Sequence, residues 1–269
     1  MDLKNDDTLL TRRQIMVIAT LAGGISATAP LHAQFNLKKG LGAAGKVAKA
    51  GSYNDEEMAV YFDQMAADMD SRNPVAKAND PYGKRIANLS KGLKNHDGLD
   101  LDIKAYLVRD VNAFAMANGT IRVFAGLMDE FTDDEIRYVI GHEIGHVKEG
   151  HTKKRMQGAL QKEAALGVAD AAGGKVGKIA NSKLGKLFGD VISSQHSQKH
   201  EKEADDYAMA FMKQKKYDPM ACVTALDKLA GMGGGGGGLP WLQTHPSPEA
   251  RSKRMRKQLA LAMPDMQLG

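Results

Sequence analysis

Apolar residues recur three or four positions apart along much of the chain, which is the spacing of one helix face. The clearest case is residues 55–70, where Met58, Phe62 and Met65 predict an amphipathic helix. Thr132 and Glu135 form a capping-box pair and predict that another helix begins there. The same reasoning predicts further helices over about residues 81–93, 198–214 and 219–230, and a last one with Ser247 as its N-cap and Pro248 at its first position.

Between the predicted helix at residues 81–93 and the one that begins near Thr132, the spacing of apolar positions changes to every second residue. Ile103, Ala105 and Leu107 alternate along the chain, and residues 111–116 form a second apolar run. Asn118-Gly119 is a typical hairpin turn, and the apolar residues that follow predict a returning strand. The sequence therefore predicts an α+β fold that is mostly helical, with a small sheet or hairpin packed beside the helix that begins near Thr132.

The first 33 residues have the pattern of an export signal. Arg12-Arg13 precedes an apolar run at residues 15–22 that is too short to span a membrane, and Ala33 is a small residue at the expected cleavage position. The two arginines fit a twin-arginine signal as well as an ordinary Sec signal. We expect cleavage near Ala33, a periplasmic protein without a transmembrane span, a flexible lead-in at residues 34–52 and one domain at 53–262.

Two segments inside that domain have a biased composition. Residues 152–195 are rich in Ala, Gly and Lys, and charges such as Lys162, Glu163 and Asp170 exclude a membrane span. We expect this segment to form a helical flap over the domain. Residues 231–240 contain six consecutive glycines and predict a flexible loop.

Composition and charge exclude several classes of protein. The chain has 269 residues, of which 43% are hydrophobic and 26% charged, values that exclude a disordered or multi-span membrane protein. The 37 Lys and Arg against 32 Asp and Glu give a net charge of +5, too mild to indicate nucleic acid binding. Cys222 is the single cysteine, which excludes an internal disulfide and a cysteine-rich metal cluster.

The strongest chemical signal is the run from His142 to His146. Histidines four positions apart lie one above the other on a helix, so both imidazoles can bind one Zn²⁺. Glu143 lies beside the first histidine and can accept a proton from the attacking water and pass it to the leaving amine. The motif also arises by chance on a solvated helix, so its meaning depends on further ligands.

A third zinc ligand is expected downstream, in the run Glu201-Lys202-Glu203-Ala204-Asp205. Glu201 and Asp205 share one helix face, so one can ligate zinc while the other anchors a motif histidine. Glu203 points about 200° away from Glu201 on a helix, so only one of the two glutamates can face the metal. The rival ligands, which lack a matched partner on the same face, are His151, His196 and His200.

These motifs, in this order, resemble peptidase family M48. Besides the His142–His146 run and the acidic run from Glu201, the resemblance rests on three further stretches of the sequence. These are Asn112-Ala113-Phe114-Ala115, Asn118-Gly119-Thr120-Ile121-Arg122-Val123, and Thr244-His245-Pro246-Ser247 followed by Arg251. The likeness covers about residues 89–259, and the nearest resemblance is to soluble bacterial periplasmic members.

The resemblance implies a zincin-like fold and a gluzincin-type zinc metalloendopeptidase with one Zn²⁺ per chain. It implies that His142, His146 and Glu201 bind the metal, that Glu143 is the base, and that Asp205 supports a ligand. It further implies polypeptide substrates, among them outer-membrane proteins or their assembly machinery, and a role in envelope quality control.

Substrate binding and regulation stay open at this level. An extended peptide would add to an exposed strand edge, for which Asn112, Ala113 and Phe114 are the candidates. His245 and Arg251 are candidates for an oxyanion donor, and His245 could instead fill the open zinc position as a latch. The alternative function is a latent or chaperone-like envelope binding protein with a structural zinc site.

Overall fold

The computed structural model describes residues 55–165, 186, 189–233 and 239–262. The predicted signal and lead-in therefore lie outside the described residues. The strands are β1 (Asp102–Tyr106), β2 (Ala113–Ala115) and β3 (Thr120–Phe124). The helices are α1 (Asp55–Arg72), α2 (Pro81–Leu89), α3 (Ala125–Glu130), α4 (Asp133–Lys148), α5 (His151–Ala165), α6 (Gln198–Gln214), α7 (Ala221–Gly233), α8 (Pro240–Thr244) and α9 (Pro248–Ala262). This architecture confirms the predicted α+β fold.

The small sheet has the strand order β1–β3–β2. The predicted hairpin is confirmed, since β2 and β3 pair antiparallel with Ala113 opposite Val123. Its turn requires Gly119, which has φ 86° and whose added Cβ would lie 2.0 Å from the carbonyl oxygen of Asp100. β1 pairs parallel to β3, so β2 is left at one edge of the sheet.

Helix α4 lies in the middle of the domain, between the sheet and helices α6 and α7. Its capping box is confirmed: Thr132 and Glu135 each accept a hydrogen bond from the other's backbone N–H. Ile136, Val139 and Ile140 are fully buried in the main hydrophobic core. The capping box therefore determines where α4 begins, and burial of its apolar residues determines which face of the helix points into the core.

A smaller core joins α1 and α5 to the hairpin. Met58 and Phe62 of α1 pack with Met116, with Met156 of α5 and with Val191. Within the predicted flap, His151–Ala165 and residues 189–193 are therefore helical, and Met156 and Val191 pack into this smaller core. Residues 166–185 lie outside the described residues.

The predicted glycine loop, residues 231–240, overlaps described helices at both of its ends. α7 continues to Gly233, and Pro240 already begins α8, because Met232 and Leu242 pack against the core and hold both ends in helical form. Residues 234–238 lie outside the described residues. α9 begins at Pro248 as predicted, and Ser247 lies at the N-cap position, where its carbonyl oxygen accepts from the N–H of Arg251 at 3.1 Å. Its φ of 58° differs from the extended conformation that is usual for an N-cap. None of the described helices has the length and apolar character that crossing a membrane requires.

Helices α4 and α6 approach each other closely because α4 carries glycine at the contact. A Cβ on Gly145 would lie 2.9 Å from Cα and 3.0 Å from the carbonyl oxygen of Ala204. Both atoms belong to the backbone of α6 and cannot rotate away. Gly145 therefore sets the distance between the two helices that carry the motif residues.

Replacing Gly145 by Ala is expected to lower the free energy of unfolding by about 1–3 kcal/mol, because the added methyl must push α6 away. Denaturant unfolding measures the loss. Gly158→Ala in α5 is the matched control, since a Cβ there meets nothing within 4 Å. That control is expected to be neutral or slightly stabilising. An equal effect of the two substitutions would contradict the close contact.

Candidate metal centre

Helix α4 presents the two motif histidines on one buried face. His142 and His146 are one turn apart and almost fully buried. Their Nε2 atoms lie 3.0 Å from each other, so both rings point at the same place. This arrangement is the one that the four-residue spacing predicts.

Helix α6 brings a carboxylate to the same place. Oε1 of Glu201 lies 3.4 Å from Nε2 of His146, and Oε2 lies 3.6 Å from Nε2 of His142. Glu203 lies outside this group and contacts His151 instead, with Oε2 at 3.0 Å from Nε2 of His151. Asp205, one turn after Glu201, places Oδ1 at 3.0 Å from Nδ1 of His142.

His245 completes a group of four. It follows α8 directly, is buried, and its Nδ1 lies 3.3 Å from Nε2 of His142 and 3.1 Å from Oε1 of Glu201. Its ring stacks on Trp241 at a centroid distance of 3.9 Å. The ligand atoms of His142, His146, Glu201 and His245 all lie within 4.8 Å of one another.

The spacing of these atoms fits zinc. Two ligand atoms at about 2.0–2.1 Å from a tetrahedral zinc lie about 3.3 Å apart. The separations of 3.0 Å between the two motif histidines, 3.3 Å from His142 to His245 and 3.4 Å from His146 to Glu201 bracket that value. Imidazole and carboxylate are also the ligands that zinc takes in proteins.

Glu143 lies beside this group without belonging to it. It is buried, and its Oε1 has no hydrogen-bond partner among the described residues. The nearest ring nitrogen is Nε2 of His245, at 3.6 Å. Burial raises the pKa of Glu143 to about 7, so the carboxyl can both accept and release a proton near neutral pH.

Arg251 on α9 faces the carboxylates of α6. Its guanidinium pairs with Glu201, and its Nη2 lies 2.7 Å from Oδ1 of Asp205. The hydroxyl of Tyr138 also donates to Asp205, at 2.8 Å. Burial would raise the pKa of Glu201, but the charge of Arg251 holds it well below its ordinary value. Sequence reasoning missed Tyr138, although it lies one turn before His142 on the same helix face.

The three rival histidines lie next to the group of four. Nδ1 of His151 is 2.9 Å from Nδ1 of His146, the ring of His196 stacks on that of His245, and the ring of His200 stacks on that of His151. Burial lowers the pKa of His151 to about 4, so its imidazole is neutral at pH 7. These histidines surround the candidate ligands and are not among them.

A small cavity connects this centre with the edge of the sheet. Its lining includes Glu143 and His245 of the centre and Phe114 and Ala115 of β2. His196, a rival ligand in the sequence analysis, and Thr244 also line it, together with three residues that sequence reasoning missed, Thr152, Arg155 and Ile192. Arg155 donates to His196 and to the carbonyl oxygen of Ser194. Of the predicted edge residues, Phe114 reaches the cavity, whereas Asn112 and Ala113 lie further along the same edge.

Comparison with known proteins finds metalloproteases, which agrees with the zinc-binding geometry of the site. Metalloprotease LoiP of Escherichia coli is 40% identical over 221 residues, which are 82% of this chain and 87% of LoiP. Metalloprotease YcaL of Escherichia coli is 34% identical over 259 residues, 96% of this chain and 99% of YcaL. The beta-barrel assembly-enhancing protease of Yersinia pestis is 26% identical over 252 residues, 87% of this chain and 51% of that protein.

The family model described as peptidase family M48 matches residues 84–259. That range contains the sheet, both motif helices, His245 and Arg251, and therefore all the residues that form the buried group. The chain belongs to peptidase family M48 and is a zinc metallopeptidase.

Proposed function

We propose that the protein is a zinc-dependent endopeptidase of the bacterial cell envelope that degrades misfolded polypeptides, outer-membrane proteins among them. The observation that carries the proposal is the cavity that joins the strand edge at Phe114 and Ala115 to Glu143 and His245. A strand edge beside a peptidase centre favours extended, unfolded chains over folded ones.

In this proposal His142, His146 and Glu201 hold the zinc. Bound zinc supplies a Lewis acid that polarises the scissile carbonyl and lowers the pKa of water to about 7. Asp205 accepts from Nδ1 of His142 and so leaves the Nε2 lone pair of that ring for the metal. Arg251 holds Glu201 and Asp205 in place, and this use of its guanidinium favours a positioning role over the oxyanion role.

Glu143 is the proton carrier. Its carboxyl takes a proton from the attacking water and delivers it to the amine that leaves. The free Oε1 and the raised pKa of about 7 support both halves of that cycle.

The substrate pairs with the outer edge of β2. The backbone N–H of Ala113 donates to the side-chain oxygen of Asn112 at 3.0 Å, and the carbonyl oxygen of Ala115 accepts from the hydroxyl of Thr152 at 3.3 Å. Both contacts are with side chains that can rotate away, so an incoming strand can replace them. The main-chain bonds would supply the affinity.

The envelope location rests on two kinds of support. The first 33 residues have the pattern of an export signal, and a relative of 26% identity is named for the enhancement of β-barrel assembly. Fusing residues 1–40 to a reporter enzyme that is active only after export tests the location. An inactive fusion would contradict it.

The activity is tested with the purified protein and a denatured outer-membrane β-barrel protein. Gel analysis is expected to show zinc-dependent fragments from the denatured form and none from the same protein folded in detergent. Cleavage of the folded form at the same rate would contradict the strand-edge proposal. Absence of cleavage of any substrate, in the protein and in its His245→Ala variant alike, would contradict the endopeptidase.

One observation favours the alternative of a latent, binding protein. With His245, the group offers zinc four protein ligands, which is typical of a closed structural site. Burial lowers the pKa of His245 to about 4, so its ring is neutral and can ligate. The latch proposal reconciles both functions: His245 closes the site at rest and withdraws when substrate enters.

Replacing His245 by Ala is expected to raise basal hydrolysis of casein by about tenfold, because the fourth position opens for water. Trp241 would lose its stacking partner, so the thermal midpoint is measured alongside activity. Gln243→Ala, an exposed residue of α8, is the control and is expected to change nothing. A fall in activity with zinc retained would mean that His245 serves catalysis, and would contradict the latch.

A further inference from the structure

His146 has a hydrogen-bond partner on the side of its ring that faces away from the candidate metal position. Nδ1 of His146 lies 2.9 Å from Nδ1 of His151, the first residue of α5. The turn between the helices makes this contact possible, since Gly150 has φ 64° and reverses the chain within two residues of α4. Two neutral imidazoles can share one proton at this contact. Which ring donates that proton depends on the hydrogen-bond partner of the other nitrogen of His151.

Glu203 sets that direction. Its Oε2 lies 3.0 Å from Nε2 of His151, and a carboxylate can only accept, so Nε2 of His151 carries the proton. A neutral imidazole that is protonated on Nε2 has a lone pair on Nδ1. Nδ1–H of His146 must then donate to His151, and Nε2 of His146 keeps its own lone pair. That Nε2 is the atom that lies 3.0 Å from His142 and 3.4 Å from Glu201.

We propose that Glu203 and His151 are positioning residues for zinc binding, acting through the tautomer and ring orientation of His146. The inference rests on the proposed role of His146 as a ligand. Each motif histidine then has its own carboxylate on α6: Asp205 contacts His142 directly, and Glu203 reaches His146 through His151. Outer partners of this kind change metal affinity by roughly 10–100-fold.

The surroundings of His151 are built to hold its ring. The side chain is fully buried, and its ring stacks on His200 at 4.2 Å with planes 19° apart. Glu203 is reached from the surface, with 35% of its side chain exposed, so it can be replaced without opening the core. On α6, Glu201 therefore faces the metal position, and Glu203 faces His151, the residue that contacts His146.

The test measures two quantities on the purified full chain and its Glu203 variants. Zinc affinity is measured by competition with a chromophoric chelator, and the tautomer of His146 is read by NMR of ¹⁵N-histidine-labelled, metal-free protein. Glu203→Ala is expected to weaken zinc binding about tenfold and to let His146 exchange between tautomers. Glu203→Gln keeps an acceptor for His151 and is expected to restore most of the affinity. Glu149→Ala, an exposed carboxylate between α4 and α5, is the matched control.

A protonated Nδ1 and a free Nε2 on His146 in the unsubstituted protein support the inference. A proton on Nε2 of His146, or unchanged zinc affinity in Glu203→Ala, would overturn it. Because the tautomer is read without metal, this outcome is separate from failure of the proposed function. That failure would show as an unsubstituted protein that binds no zinc at all.

Discussion

Replacing Glu143 by Gln is expected to lower the rate of peptide hydrolysis by about 10²-fold or more while one zinc per chain remains bound. Gln has nearly the same size and can still hydrogen-bond, but its amide cannot take a proton from water. The metal stays because Glu143 lies beside the group of four ligand-capable residues and is not one of them.

The measurement pairs two assays on the same preparation. Hydrolysis of a denatured substrate gives the rate, and elemental analysis gives the zinc content. Because the latch proposal places His245 in the fourth position, the comparison is made both in the unsubstituted chain and in a His245→Ala background, where we expect the higher rate. The loss on replacing Glu143 should appear in both backgrounds.

Glu149→Gln is the matched control, since it makes the same chemical change on an exposed side chain six residues further along. It is expected to leave rate and zinc unchanged. Full activity in Glu143→Gln would contradict the proton-transfer mechanism. Loss of zinc in that variant would instead show that Glu143 is itself a ligand.

The parts of the site that local geometry determines could be read from the sequence. A spacing of four residues on a helix places His142 above His146 and Glu201 above Asp205, whatever the helices pack against. The capping box at Thr132 likewise depends on residues three positions apart. Such features follow from backbone geometry, and the structure has them as predicted.

The parts that depend on tertiary packing could not be read in the same way. Arg251 was a candidate for an oxyanion donor, but the packing of α9 on α6 and α7 turns it toward Glu201 and Asp205. β1 and β3 pair in parallel although β2 lies between them in the sequence, and no local pattern indicates this pairing. Glu203 and His151 likewise meet only because the turn at Gly150 and the packing of α6 on α4 bring the first residue of α5 to α6.

The position of His245 lies between these two cases. The sequence predicts a glycine loop over residues 231–240 and nothing regular between that loop and Ser247. The described residues Pro240–Thr244 form the short helix α8, with Trp241 buried beneath the histidine. The stacking of His245 on Trp241 uses a spacing of four residues, which the sequence shows, but the insertion of the pair beside His142 requires the core. The resemblance to the family pointed to His245, whereas its contact with the candidate ligands comes from the structure.

Replacing Glu201 by Ala is expected to abolish stoichiometric zinc binding, a larger loss than the roughly 10–100-fold that removal of an outer partner causes. Glu201 is 2% exposed and is the acidic member of the group of four. The substitution also leaves the buried guanidinium of Arg251 with Asp205 as its remaining carboxylate partner. We therefore expect the free energy of unfolding of the metal-free protein to fall by about 3 kcal/mol.

Three carboxylates give a graded experiment with zinc affinity as its readout. Glu201→Ala should lose stoichiometric binding, Glu203→Ala should weaken it about tenfold, and Glu149→Ala should leave it unchanged. Glu201→Gln keeps the side-chain volume and a hydrogen-bond acceptor for Arg251, so it separates loss of the ligand from loss of the fold. If Glu201→Gln folds with an unchanged thermal midpoint and still binds zinc as tightly as the unsubstituted chain, the assignment of Glu201 as the third ligand is wrong. If Glu203→Ala loses more zinc affinity than Glu201→Ala, the ligand is Glu203, and α6 must turn by about 200° relative to α4.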